Sequence, residues 1–525
     1  MPNQDVEAAW HYHNGTKHPD GFLMDPWHSY DPMDNPLLFK IYPDLEPIPL
    51  SLDSLPPQMP ALDAIAASVG LSSRPNTLDF PTMSKILHFS AGITKRIDYP
   101  WGEMPFRAAA CTGALFHIEL YLVCGDLPGL EAGVYHFDTH GSALKQLRKG
   151  DYRSVLVEAS GNHPAVANAP AIVCYTDVFW RNACKYQARE YRHSFWDCGT
   201  ILANTLAASA ANEISSHVVM GFIDATVNNL LGLDTLKEVS LALAPLGHAP
   251  DLAAKAISGV EPLSLDVLPI SDIETDFPPV REMHEASSLM SLDEVASWHD
   301  AGTANKKVSP VGRLVPLDPY PETDLSQDNV ETVIKRRGSS RQFSQESISF
   351  QQLSTVLERS VAGIPADFSA SSGETLNDVY LIVNAVEGLD SGLYAFNRES
   401  NSLELLEEGN FRRESGFLGL NQSLPADASV NIYFMVDLDA ALKNLGNRGY
   451  RAAQMEASIM AGKIYLAAYA QRLGASGLTF YEDAVTQVFS PHAAGKSVMF
   501  LMALGKRAKI DRGMGNPSVV PIQTT

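Results

Sequence analysis

The run Lys335-Arg336-Arg337-Gly338-Ser339-Ser340-Arg341 gathers four cations and two hydroxyls behind a predicted helix start. Guanidinium groups bind phosphate through paired charge-assisted hydrogen bonds, and nearby hydroxyls complete such a cradle. Taken alone, the run also fits a basic cap on a solvated helix. A second stretch, Arg107-Ala108-Ala109-Ala110-Cys111-Thr112-Gly113-Ala114-Leu115-Phe116, sets small side chains directly before a predicted strand. Small residues let backbone approach a flat ring closely, although a plain turn has the same composition. Together the two stretches suit a phosphate-bearing aromatic cofactor. Other chemistries lack their signatures: there is no GxGxxG after a strand, no GxxxxGK[ST], no HExxH and no GxSxG.

Composition narrows the field further. The 525 residues are 45% hydrophobic and 19% charged, enough for two sizeable cores. The 39 basic against 61 acidic residues give a net charge of −22, a field that argues against nucleic-acid and membrane-surface partners. Apolar stretches such as Val498 to Leu504 are too short to span a bilayer. The start shows no basic segment followed by an apolar one, so a cytoplasmic protein is expected. The five cysteines, odd in number and without a CxxC, indicate neither a disulfide framework nor zinc. No metal site is expected; His11, His13 and His18 are the sort of grouping that chelates adventitiously.

An internal repeat organises the chain. Ile118 to Asp138 parallels Asn377 to Asn397, with Tyr121, Gly133 and Tyr135 each 259 positions before Tyr380, Gly392 and Tyr394. Tyr191-Arg192 stands 259 before Tyr450-Arg451. The expected organisation is an N-terminal extension (1–62), a first domain (63–249), a linker (250–325) with a helix near Ser291 to Trp298, and a second domain (326–512). Each copy reads as a short helix (82–91; 350–361), a hairpin (118–124 with 133–137; 379–383 with 392–396), an apolar strand (171–175; 431–436), a long helix (194–212; 452–473) and a last strand (239–246; 497–504). The class is α+β. On the second long helix, Met455, Ile459, Gly462, Leu466 and Tyr469 recur at spacings of 4, 3, 4 and 3. That stripe is either a core face or a seam between the copies, which would make the chain an intramolecular pseudo-dimer.

At this point the sequence resembles a known family. RAAACTGALFHIELYLV (107–123) followed by GVYHFD, the opening YHNGTKH (12–18), KYQAREYRHSFWDCG (185–199) and GFIDATVNNLLGL (221–233) are similar to segments of SagB-type azoline dehydrogenases, within the nitroreductase-like flavoproteins. The second half, with RRGSSRQFSQESISFQQLSTVL, resembles a more divergent nitroreductase-type copy. The resemblance implies two nitroreductase-like domains with FMN at their interface. Arg337, Ser339 and Arg341 would hold phosphate and ribityl. Cys111, Thr112 and Gly113 would reach across from the other copy. Thr479 and Phe480 would offer backbone near the flavin N5 edge, and Lys506 with Arg507 would close the phosphate side.

Lys185 and Tyr186 match the family's Lys-Tyr pair, implying a base and proton relay as hydride moves to the flavin. A surface Lys beside a core Tyr is the plainer reading. Departures stand out: Ala110-Cys111 replaces Pro-Ser, and Phe116-His117 replaces Tyr-Pro. A mirror site would use Ser72, Ser73 and Arg74 with Ser369 to Gly373, but Gly70 stands where the other site has Arg337, so one FMN per chain is expected. The implied activity is oxidation of a thiazoline or oxazoline, in a small molecule or modified peptide, to the azole, with biosynthetic partner proteins and further dimerisation open. The alternatives are an NAD(P)H-dependent nitro or quinone reductase and a non-catalytic subunit of a heterocycle-forming complex.

Overall fold

In the computed structural model, the described residues are 2–19, 36–67, 78–99, 102–249, 257, 259–301, 310–369, 374–508 and 519–520. Continuous apolar runs make strands buried on both faces, and these form two antiparallel sheets. The first runs in the order Pro47–Pro49, Ala143–Lys149, Gly133–Asp138, Ile118–Cys124, Ala171–Val178, Glu238–Leu246. The second runs Arg313–Pro316, Ser402–Glu408, Gly392–Asn397, Asn377–Val383, Val430–Val436, Ser497–Gly505, and ends on an added strand, Gly474–Leu478. Registers match as well: Ile118 lies opposite Asp177, and Asn377 opposite Val436. These are two copies of one α+β domain forming a pseudo-dimer within one chain.

Two long helices, Glu190–Ala211 and Arg448–Ala470, are buried along their whole length. They cross where side chains are smallest. A Cβ on Gly199 would fall 1.9 Å from Ser458 Oγ, and one on Gly462 would fall 2.5 Å from Ala203 Cβ. The stripe containing Gly462 is therefore a seam between the copies, not an internal core face.

Reciprocal ion pairs lock the crossing. Arg189 and Arg192 reach Glu482 at 2.6 and 3.2 Å. Arg448 and Arg451 reach Asp224 at 2.7 and 2.9 Å. Each acid opens a short helix of the opposite copy, where a carboxylate also complements the helix dipole. Burial opposes ionisation of both acids, yet the paired guanidiniums prevail and hold the carboxyls below their ordinary range.

The outer segments share this symmetry. Arg192 donates to the His13 carbonyl and Thr16 Oγ1, while Arg451 donates to the His284 carbonyl and Ser287 Oγ. The helix Glu7–Gly15 and the helix Pro278–Ala286, in the segment read from sequence as linker, thus do the same work for opposite copies. The helix expected near Ser291 is Leu292–Asp300. The sequence reading misses a hairpin, Ile93–Tyr99 with Gly102–Arg107, because Lys95, Arg96 and Pro105 interrupt its strand alternation.

Candidate functional site

The Cys111-Thr112-Gly113 loop lies between the hairpin and the strand Ile118–Cys124. Its backbone enters the left-handed region at Gly113 (φ 65°), Ala114 (φ 57°) and Phe116 (φ 51°); for the two non-glycine residues this conformation costs about 1–2 kcal/mol each. Asp197, on the first long helix, holds the loop from beneath. It accepts from Thr112 N (2.8 and 3.0 Å), Thr112 Oγ1 (2.9 Å) and Cys111 Sγ (3.0 Å). Burial, then the Asp197 charge, pushes the Cys111 thiol well up, so it is a donor rather than a thiolate nucleophile.

His117 completes the foundation. Its Nδ1 lies 2.7 Å from Asp177 and its Nε2 2.8 Å from Asp197. Burial disfavours the imidazolium, but Asp177, Asp197 and Glu190 outweigh it and raise the ring's pKa. Glu190 is raised by burial and by Asp177. The ligand atoms of Cys111, His117 and Asp197, and of His117, Asp177 and Glu190, lie within 4.8 Å of one another, a spacing a metal could use. Protein hydrogen bonds already occupy these groups.

Tyr186 closes over the loop: a Cβ on Gly113 would sit 3.0 Å from its hydroxyl. Burial, followed by Asp197 and Cys111, raises the phenol, which stays a donor. Lys185 Nζ lies 5.3 Å from the Tyr186 ring centre, and burial together with Arg341 lowers its pKa. The predicted pair thus divides into an amine whose pKa is lowered and a phenol whose pKa is raised. An aromatic row continues from Tyr186 through His193 (4.6 Å) and Trp196 (5.0 Å) to Phe480 (5.9 Å). Thr479 Oγ1 meets Arg189 and His18, each at 3.1 Å.

From the second copy, Arg337 crosses to the base of the loop, donating to the Ala108 carbonyl (2.9 Å) and the Arg107 carbonyl (3.3 Å). Ser339 Oγ is 3.1 Å from the Tyr465 hydroxyl. Arg341 is exposed. Arg507 packs on Tyr469, 5.5 Å from the ring centre, whereas Lys506 reaches toward Glu346 at 3.7 Å. Lys95, on the hairpin, joins this group: burial lowers its pKa, and Arg337 and Arg507 lower it further. Sequence reading missed Lys95 because the hairpin was not seen. It missed Asp197 although the repeat carries an acid, Glu456, 259 positions later.

The mirror region is built differently. Of its expected residues, Gly70, Ser72, Ser73, Arg74 and 370–373 lie outside the described residues. Asp367 accepts from Met220 N (3.0 Å), Gly221 N (2.6 Å) and Trp298 Nε1 (3.1 Å). Trp298 also packs so tightly that a Cβ on Gly221 would lie 2.3 Å from its Cδ1. By the pseudo-symmetry that pairs Asp224 with Glu482, Gly221 corresponds to Thr479.

The profile of the nitroreductase family matches residues 138–248 and 334–506, one segment in each copy and together more than half the chain. The chain belongs to the nitroreductase family, a family of oxidoreductases whose members typically bind FMN. A crystal structure from Anabaena variabilis, named as a nitroreductase, is 25% identical over 95% of this chain and 99% of its own, with a TM-score of 0.75. A Methanocaldococcus jannaschii protein, also named as a nitroreductase, is 23% identical over 194 residues, 35% of this chain and 94% of its own length. No helix among the described residues is long and apolar enough to cross a membrane.

Proposed function

We propose that the chain is an FMN-dependent oxidoreductase with one flavin cleft, bounded by the Cys111–Gly113 loop of one copy and Arg337–Arg341 of the other. Its proposed reaction is dehydrogenation of a thiazoline or oxazoline ring to the azole.

The observation that carries the reading is the cation cluster at the junction of the copies. Among the described residues neither Lys95 nor Arg337 is paired with a carboxylate: Arg337 and Arg507 lower the Lys95 pKa, and Arg337 donates to the Arg107 and Ala108 carbonyls. A partly buried cation cluster without a carboxylate counter-charge suits an anion from outside the chain. Beside it Ser340 Oγ is buried with no hydrogen-bond partner, as suits a hydroxyl awaiting an acceptor. The donor set fits a phosphate monoester, with Arg337, Arg507, Lys95 and Ser339 as its holders.

FMN, when bound, would supply the ring that accepts a hydride. Lys185, depressed by burial, would take the proton a ring carbon or nitrogen loses. Tyr186 would donate a hydrogen bond to the substrate heteroatom. Trp196 and Phe480 would exclude water from one wall. In the mirror region, Asp367 and Trp298 occupy the matching backbone, which supports one cofactor per chain. The azole specificity rests on the family resemblance around Lys185-Tyr186, and a modified-peptide substrate with biosynthetic partners follows from that same reading.

Stopped-flow mixing tests the assignment. Flavin reduction by an azoline substrate, with slow bleaching by NADPH, is expected. Rapid bleaching by NADPH without azoline turnover would assign a nitro or quinone reductase instead. Protein that stays colourless after incubation with FMN would mark a non-catalytic subunit.

A further inference from the structure

The acid beneath the Cys111 loop has a counterpart in the second copy, 259 positions later. There Glu456, the match of Asp197, accepts from Leu376 N (2.9 Å), Asn377 N (2.7 Å) and Asn377 Nδ2 (2.8 Å). Leu376 stands where the first copy has His117, and no left-handed non-glycine residue occurs among the described residues just before that strand. Burial raises the Glu456 carboxyl. The first copy therefore has a histidine beside the acid and a left-handed residue at Phe116, whereas the second has Leu376 and, at the match of Phe116, a Thr375 that is not left-handed.

We propose that His117 is a positioning residue of the flavin cleft, acting through Asp197 to hold the Cys111–Phe116 loop in its bent conformation. This rests on the FMN reading for its functional consequence, but not for its geometry.

The argument is one of opposing costs. The left-handed residues Ala114 and Phe116 relax unless surrounding bonds over-determine them. The bonds available are those to Asp197, together with Phe116 N donating to Cys111 Sγ at 3.1 Å. A buried carboxylate holds several donors well only while it stays ionised, because charged acceptors bond more strongly than neutral ones. His117 holds the Asp197 carboxylate in place through its Nε2. It is wholly buried, it is bonded at both ring nitrogens, and Asp177 fixes its far side while Ser194 donates to Asp177 and to Glu190 (3.1 Å). A leucine at position 117 removes the Nε2 partner that fixes the orientation of the Asp197 carboxylate. The carboxylate can then turn away from Thr112 and Cys111, so the loop loses its anchor.

The position matters because the same loop touches Tyr186 at Gly113 and abuts the carbonyls that hold Arg337. Slackening it should disturb the candidate proton donor and the copy-to-copy clamp together, without touching the ion pairs of the central crossing.

The test compares His117→Leu, which imitates the second copy, with His117→Gln, which keeps one N–H for Asp197. Deuterium exchange of the 111–116 peptide is followed in the full chain without cofactor, and FMN affinity is measured by fluorescence quenching. In His117→Leu, exchange of that peptide should rise and FMN affinity fall, each on the order of tenfold, with the 374–379 peptide unchanged; His117→Gln should fall between. Unchanged exchange in a folded His117→Leu variant overturns the proposal. If that variant exchanges throughout the chain, Asp197→Asn decides: selective loosening of the loop supports the clamp, and unaltered exchange rejects it. Wild-type protein that never takes up FMN would sink the flavin reading alone, since exchange still judges the clamp.

Discussion

The cleft beside Cys111 and the region related to it by the internal two-fold share a scaffold but not a chemistry. Both have an arginine pair reaching a helix-opening acid of the other copy, Arg189 and Arg192 to Glu482 and Arg448 and Arg451 to Asp224. Both have a flanking helix whose carbonyl and hydroxyl cap the second arginine. They diverge at the backbone facing the cleft. At Gly221 a tryptophan and a carboxylate cover it, whereas at the matching Thr479 a hydroxyl faces Arg189 and His18. Contacts that hold the copies together must survive on both sides, because each is buried and each failure unpairs two guanidiniums. Contacts that serve a ligand are needed only where the ligand binds.

The largest expected effect falls on the shared scaffold. Asp224→Ala and Glu482→Ala should each destabilise the chain by about 3–5 kcal/mol, as expected when a buried partner is removed and charges are left unpaired. Denaturant titration checks both. Tolerance of either change would break the symmetry that the comparison assumes.

Next comes the difference itself. Arg337→Ala should weaken FMN by roughly 10- to 100-fold, the worth of one charge-assisted hydrogen-bond set. Arg74→Ala, at the position expected from sequence to serve a mirror site, should leave affinity unaltered. Equal losses from the two would restore two equivalent sites. Asp367→Ala should then cost about 1–3 kcal/mol, because buried donors at Met220, Gly221 and Trp298 lose their acceptor. The ratio of FMN to protein should stay at one; a rise to two would mean that Asp367 alone closes the mirror region.

What could be read from sequence follows this same division. The strands, the long helices and the close packing at Gly462 announce themselves through apolar runs, helical spacing and the 259-residue offset, all properties of local pattern. The basic run at Arg337 and the small-residue loop at Cys111 carry their chemistry in their composition. The ion pairs across the crossing do not, since Arg189 and Glu482 are separated by most of the chain and only the folded two-fold joins them. Lys95 and Trp298 were hidden for another reason. They sit in a charged hairpin and in a segment whose composition reads as linker, and nothing local distinguishes such residues from a solvated surface.

The smallest effect separates two histidines. His217, near Asp367 in the mirror region, is pushed down to about 4 chiefly by burial, with Asp367 opposing. The unfolded chain, with an ordinary value near 6.5, binds the proton more readily, so the stability His217 contributes is present above about pH 6.5 and is lost as pH falls toward 4. His117, in the cleft, is raised by its carboxylates against burial. Its contribution is full below about pH 6.5 and is lost as pH climbs through the raised value. His217→Asn should therefore flatten the acid limb of a Tm-against-pH curve, and His117→Asn the alkaline limb, each by roughly 1–2 °C. Should both variants flatten the same limb, the electrostatic contrast between the two regions would be lost, because burial would then outweigh the carboxylates around His117 as it does at His217.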